Sequence, residues 1–307
     1  MPKQPRTPEP RTVAVTGASG LIGKALVDYL EARGDTVVRF VRRLPAGPEE
    51  RQWTPRPGGL DPATLADVDA VVHLAGAGVG DHRWTPAYKE LILRSRVDST
   101  RCVAAAIAER ARTGHVVRLV NGSAIGVYGD RGDERLTEKS PPGTGFLADV
   151  VQAWENAADA AVTAGAPVAF SRTGLVMSAD GGAFQRLLAL ARFGLAGPLG
   201  SGRQWWSWIT LRDEIRALAH LVDRPEIVGP VNLVGPDPRP QRQVVAALAS
   251  ALGRPALVPA PAFALRVALG EFADDILASQ RVEPRLLLDN GFGFEQATLG
   301  SAAATVV

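Results

Sequence analysis

The chain has 307 residues, 46% of them hydrophobic and 21% charged, with a formal net charge of +2 and a mean hydropathy of +0.03. That is the composition of an ordinary globular enzyme or binding protein, long enough to bury one large core or two smaller ones. A basic nucleic-acid-binding domain is excluded because the arginines are dispersed and nearly balanced by acids, and a membrane span because no apolar run approaches about eighteen residues.

The opening M-P-K-Q-P-R-T-P-E-P-R reads as a disordered leader over residues 1–11, Pro-rich and basic with no apolar segment behind it. From there apolar strand-like runs alternate with amphipathic helical runs. A strand at V-A-V-T precedes a helix over 21–33, and T-V-V-R-F-V and A-V-V-H-L-A are further strands. A helix over 87–110 leads to the strand V-V-R-L-V-N, and the helical stretch G-F-L-A-D-V-V-Q-A-W-E-N-A-A leads to the strand V-A-F-S-R-T. Strand and helix in alternation predict a doubly wound α/β fold, a Rossmann-type parallel sheet covered on both faces, over residues 12–177. Beyond Met177 the pattern is richer in Gly, Pro and Trp, with helices predicted over 211–222 and 241–252. Residues 178–307 therefore read as a smaller α+β substrate lobe.

The single cysteine, Cys102, rules out an internal disulfide and, within V-D-S-T-R-C-V-A-A-A-I, reads as a buried helix position. A reducing, cytoplasmic home is expected. His73, His82, His115 and His220 share no ligand spacing, so no metal site is expected.

The chemistry starts at V-A-V-T-G-A-S-G-L-I-G-K-A-L, where Gly17, Gly20 and Gly23 fall at G-x-x-G-x-x-G spacing between a strand and a helix. Gly17 permits a tight turn, Gly20 lets backbone approach a pyrophosphate, and Gly23 allows the helix to pack close to the strand. Ser19, Leu21 and Ile22 complete a turn whose helix N-terminus faces the negative charge. A P-loop is excluded: five residues separate Gly17 from Gly23, and Lys24 is followed by Ala25 where Ser or Thr would bind magnesium. At the end of the second strand, where an acid would hold the ribose hydroxyls of NAD, stand Arg42 and Arg43. Two guanidinium groups suit a 2′-phosphate and predict NADP as the cofactor. Asp35 precedes that strand and does not compensate.

With these residues, L-A-G at 74–76, and Ser123 and Tyr128 in S-A-I-G-V-Y-G, the chain resembles the extended, epimerase-like short-chain dehydrogenase/reductase superfamily. S-R-V-D-S-T, Y-G-D-R-G, A-W-E, G-P-L-G-S-G-R-Q-W-W-S-W-I, Q-R-V-E-P and G-F-G-F further resemble the epimerase family proteins, the SulA-like nucleoside-diphosphate-sugar epimerase group, from about Thr12 to Ala303. The resemblance implies that Leu74, Ala75 and Gly76 line the cofactor, that Arg96 reaches its phosphates, and that backbone near Val176 meets its nicotinamide end. It does not carry over a substrate.

In that superfamily a Tyr with a Lys four residues later moves the proton that accompanies hydride. Here Tyr29 is followed by Arg33, Tyr88 by Ile92 and Tyr128 by Gly132. Aligning Glu155 with the acid that follows the superfamily's Lys puts Leu147 and Val151 at the Tyr and Lys positions, on one helix face with Val150 and Trp154. That face reads as core or as an apolar wall beside the cofactor. Ser123 and Tyr128 remain as catalytic candidates, Ser123 holding a substrate oxygen and Tyr128 or water giving a proton. Tyr128, with no cation in view, is expected near its free pKa of about 10. Asp149 and Glu155 are alternative acids with a solvent-facing or capping reading beside them, and Asp130, Asp133 and Glu134 read as a solvated acidic loop.

Q-W-W-S-W-I concentrates three tryptophans. Trp208 reads as packing between lobes, and Arg203, Gln204, Trp205 and Trp206 as substrate-side residues. Two functions follow: an NADP(H)-dependent oxidoreductase or epimerase-like enzyme acting on a small molecule, or a catalytically quiet NADP(H)-binding sensor read by a partner protein. No nucleic acid or membrane partner is expected, and a homodimer is left open.

Overall fold

The apolar runs pair side by side and in parallel, as residues buried on both faces require. In the computed structural model, which describes residues 10–307, the first half comprises β1 (Thr12–Thr16), α1 (Leu21–Arg33), β2 (Thr36–Val41), β3 (Glu50–Gln52), β4 (Ala70–His73), α2 (Pro86–Arg112), β5 (Arg118–Ala124), β6 (Arg135–Leu136), α3 (Phe146–Asn156) and α4 (Asp159–Thr163). There follow β7 (Val168–Thr173), β8 (Leu175–Met177), α5 (Gly182–Arg192), β9 (Trp205–Trp206), β10 (Trp208–Thr210), α6 (Leu211–Asp223) and β11 (Gly229–Leu233). The chain ends with β12 (Arg239–Pro240), α7 (Gln241–Ala251), α8 (Ala262–Leu269), α9 (Phe272–Leu277), β13 (Arg281–Val282), α10 (Arg285–Asp289) and α11 (Leu299–Thr305). The expected leader lies, over residues 1–9, outside the described residues.

Seven strands form the central sheet in the order β11-β7-β5-β4-β1-β2-β3, every pairing parallel. Strand alternation sorts the side chains into two cores. Val13, Val15, Ala70 and Val72 face α1 and α6, whereas Ala14, Val38, Val71, Leu119 and Val168 face α2 and its neighbours. Helix starts follow local chemistry: Thr85 caps α2 with Pro86 at its first turn, and Thr210 caps α6 by accepting from the Asp213 amide. Among the described residues no helix is long and apolar enough to cross a membrane.

The expected division at residue 177 is not where the chain divides. β11 returns to the central sheet as its edge strand, and α6 lies on the same core as α1. Its sequence G-P-V-N-L hides a strand behind Pro230, a residue that only an edge tolerates well. The smaller lobe is built instead from three two-stranded pairs, β8 with β10, β9 with β12 and β6 with β13. Its separate core joins Met177, Phe184, Leu188, Val244, Leu248 and Leu299 around Trp208.

Candidate active site

The glycine turn connects β1 to α1. Gly17 has φ +68°, and a Cβ there would lie 2.9 Å from the backbone of Leu74; a Cβ on Gly23 would lie 2.2 Å from the Gly17 carbonyl oxygen. Both positions therefore demand glycine, the first for conformation and the second for close packing. Gly20 begins α1 with no side-chain cap and no acid in the first turn. The free amides and the positive end of the helix dipole are left for an anion. Ser19 and Gly20 are exposed, Leu21 and Ile22 half-buried, and Gly181 packs on Leu21, so the segment after β8 closes over the helix start.

The end of β4 lies beside this turn and is held by a buried relay. The Thr16 hydroxyl accepts from the amides of Leu74 at 3.0 Å and Ala75 at 3.2 Å, so it donates to His73 Nδ1 at 2.7 Å. His73 Nε2 then faces Ser99 Oγ at 3.0 Å. Burial pushes His73 down to about 3, which keeps it neutral. Neither Thr16 nor His73 was marked by any spacing in the sequence.

Gly76 abuts the side chain of Arg96. Nη1 of Arg96 donates to the carbonyls of Ala77 and Ile92 at 2.9 and 3.1 Å, and the guanidinium lies 5.1 Å from the Trp154 ring centroid. It has no carboxylate partner among the described residues, and burial lowers it to about 10. The Trp154 ring fills the space over Gly122, next to Ser123. Arg96 is thereby set between the ends of β4 and β5, on the α2 and α3 side of the sheet.

At the end of β5, Ser123 donates to Glu155 Oε1 at 2.6 Å. Arg172 of β7 grips the same carboxylate with two bonds, 2.8 and 2.9 Å, and reaches the Tyr128 hydroxyl at 3.0 Å. Tyr128 in turn donates toward Asn232 Oδ1 at 2.7 Å, with the Thr137 carbonyl at 3.1 Å. This corrects two expectations. Tyr128 does have a neighbouring cation, and it is fully buried; burial pushes its pKa up while Arg172 pulls against the rise. A hydroxyl so engaged faces protein rather than an open cleft. Glu155 is neither solvated nor a cap but the joint between Ser123 and Arg172, whereas Asp149 is exposed as expected.

Along α3, Val150, Val151 and Trp154 are buried, and Leu147 and Phe146 pack with Trp84, Ile92 and Phe272. Val176 is half-buried against the core under α1. The tryptophan segment is divided by strand alternation. Trp206 packs on Phe184, Trp208 is core, and Trp205 donates to Asp133 at 2.7 Å beneath the Arg281 guanidinium. Gln204 is buried and donates to the Leu199 carbonyl at 3.0 Å, so it supports its own loop instead of facing a ligand. Arg203 is exposed.

At the end of β2 the arginine pair is also divided. Arg43 makes a two-bond pair with Glu50 of β3, both contacts 2.6 Å, which holds the Glu50 carboxyl at about 2. The strand end that the sequence reads as basic thus also carries a carboxylate, delivered by the polar edge strand E-R-Q. Arg42 is exposed and has no ion pair among the described residues.

A glycine turn feeding an uncapped helix, at the strand ends of a seven-stranded parallel sheet, defines a dinucleotide-binding protein of the short-chain dehydrogenase/reductase type. Residues 13–235 match the NAD dependent epimerase/dehydratase family, to which the chain belongs, and residues 260–306 match a domain of unknown function, DUF1731. The chain is 44% identical over 291 residues to epimerase family protein Mb2239 of Mycobacterium bovis, covering 94% of this chain and 95% of that one. It is 34% identical over 290 residues to epimerase family protein SH2119 of Staphylococcus haemolyticus, covering 93% and 95%. Among solved structures it is similar to the human epimerase family protein SDR39U1 (isoform 2) with NADPH, at TM-score 0.85 and 30% identity over 96% of this chain and 98% of that one. It is likewise similar to a nucleoside-diphosphate sugar epimerase from Corynebacterium glutamicum, at TM-score 0.80 and 34% identity over 97% of this chain and 58% of that one.

Proposed function

We propose that the chain is an NADP(H)-dependent oxidoreductase, epimerase-like in fold, that acts on a small molecule without a Tyr-x-x-x-Lys pair. The observation that carries the reading is a charge arrangement: an uncapped helix N-terminus at Gly20 together with two arginines, Arg42 and Arg96, that have no carboxylate partner among the described residues. An anionic ligand with phosphates at both places satisfies all three. Arg42 takes the 2′-phosphate, Arg43 supports it from its pair with Glu50, and the SDR39U1 structure with NADPH favours the same form of the cofactor. When bound, the dinucleotide supplies hydride.

The chain's own residues then orient the substrate. Ser123, fixed by Glu155 and Arg172, places its hydroxyl at the end of β5, and Leu147, Val150 and Phe146 form an apolar wall on α3. No side chain in this reading is a strong base, which suits reduction of an electron-poor carbonyl or alkene with a proton drawn from water. Arg203, Trp205 and Trp206 stay as proposed substrate contacts. The protein is proposed to be cytoplasmic, with no nucleic-acid or membrane partner and a homodimeric assembly.

Calorimetric titration with NADPH and NADH tests the cofactor assignment. Arg42→Ala should weaken NADPH binding by about tenfold or more, the cost of one lost charged contact, and leave NADH unchanged; equal loss of both overturns the role of Arg42. The engaged Tyr128 and the apolar α3 face favour a second reading, the catalytically quiet NADP(H) sensor. Stopped-flow oxidation of NADPH separates the two: candidate carbonyl or alkene substrates should be reduced more slowly by Ser123→Ala, and the absence of any turnover with tight NADPH binding selects the sensor.

A further inference from the structure

Glu214 is a buried carboxyl group that the preceding reading does not use. It lies in the first turn of α6 with no solvent exposure. Its Oε1 stands 2.7 Å from the Thr173 hydroxyl, and its Oε2 has no hydrogen-bond partner among the described residues. A buried carboxylate with one free oxygen is expensive, and such an orphan calls for an explanation.

Among the described residues its surroundings supply no counter-charge. On β7, Arg172 points to the opposite face, toward Glu155. On β4, His73 is turned toward Ser99 of α2. On β5, Arg118 is bound to carbonyls of Leu221, Pro225 and Ile227 beyond the far end of the sheet. Within α6, Asp213 and Arg216 pair with each other. On α1, Lys24, Asp28 and Glu31 are exposed and Tyr29 is packed in the core, while β8 and β10 carry no charged residue. Helix position alone would favour the ionised form, yet burial wins and raises the group to about 8. It is therefore neutral at pH 7.

Thr173 is only half-buried. It ends β7, in register with Ala124 beside Ser123 and three residues before Val176. It thus links the buried acid to the rim of strand ends across which a dinucleotide starting at Gly17 extends its second half.

We infer that Glu214, through Thr173, is a redox-linked proton site that is neutral beside the reduced cofactor and ionised beside the oxidised one. The inference rests on the cofactor reading above. The oxidised nicotinamide ring is cationic and the reduced ring is not, so only the oxidised form gives a carboxylate at Glu214 an opposite charge. On binding the oxidised form, the Glu214 O–H bond breaks, its proton passes to the buffer, and the remaining carboxylate accepts from the Thr173 hydroxyl. Reciprocally, raising the pH should strengthen binding of the oxidised form relative to that of the reduced form.

The test is calorimetric titration of the intact chain with NADP+ and with NADPH between pH 6 and 9, in buffers of different ionisation enthalpy. The 2′-phosphate titrates in both forms and cancels in the comparison. The expected result is tightening of NADP+ relative to NADPH by about fivefold or more across this range, the lower end of ordinary coupling between sites. NADP+ should release more protons than NADPH on binding, and Glu214→Gln should abolish both differences while still binding NADPH. The wild-type buffer comparison decides the matter even if that variant fails to fold. Parallel pH profiles for the two forms overturn the role of Glu214 and leave the cofactor reading standing; no binding of either form overturns both.

Discussion

Glu214→Gln should change the pH dependence of folding, and its size follows from the environment of the carboxyl. In the folded chain the group titrates at about 8, against 4.5 for the free side chain. The folded state therefore binds this proton more tightly than the unfolded state. The stability it contributes is complete below pH 4.5 and is lost as the pH rises through 8. At about 1.4 kcal/mol per unit, about 3.5 kcal/mol is gone by pH 7 and the full amount, about 5 kcal/mol, above pH 8. A glutamine loses none of this, because it has no proton to release. Urea unfolding of both proteins at intervals from pH 5 to 9 isolates the site, since every other titrating group cancels in the difference. The variant should gain steadily on the wild type up to about pH 8, after which the difference levels off. Two curves that stay parallel throughout would mean that Glu214 is ionised or hydrated in the folded protein, and the reasoning from its burial would fail.

Two other substitutions probe the site from its ends. Gly23→Ala must push α1 away from the Gly17 carbonyl, which a Cβ would meet at 2.2 Å; NADPH affinity should fall by at least about tenfold and thermal stability should drop, the loss being that of an overpacked contact, about 1–3 kcal/mol. Arg172→Met strands the Glu155 carboxylate, with side chains only 8% and 13% exposed in the native pair, and should cost about 3–5 kcal/mol in denaturant unfolding. Arg172→Met combined with Glu155→Leu should recover most of that loss. If the double variant is as unstable as the single one, the pair is held for its hydrogen bonds to Ser123 and Tyr128 and not for charge balance.

The central sheet and its helices were legible because each is specified within its own stretch of chain. α1 begins and ends at Leu21 and Arg33, as its periodicity and flanking glycines indicate, and α2 and α7 deviate from expectation by two residues or fewer. β3 and β11 were not legible: E-R-Q has no apolar alternation, and G-P-V-N-L reads as a turn. Both are strands only because a neighbour offers an open edge. That edge matters at the site, since β3 delivers Glu50 to Arg43.

The polar interior divides along the same line. Ser123 and Glu155 are 32 residues apart, Glu155 and Arg172 are 17, and Thr173 and Glu214 are 41, so no local spacing could join them. A weaker trace was nevertheless present. Arg172 is the one charged residue in the apolar strand V-A-F-S-R-T, and a charge that enters a sheet covered on both faces must find a partner there. Glu214 shares a helical stripe with Leu218 and Leu221, four and seven positions on, and both of those are fully buried. An acid in the apolar stripe of an amphipathic helix is either an error of phase or a carboxyl carried into the core. The Thr210 cap and the buried Ile215, Ala217 and Val222 fix the phase of α6, which leaves the second. The same test, applied along α3, returns Glu155 in the stripe of Leu147 and Val151, but that acid enters the interior as a charge paired with Arg172. The chain has therefore placed its buried proton on α6, across the sheet from the helix where the superfamily would carry its tyrosine and lysine.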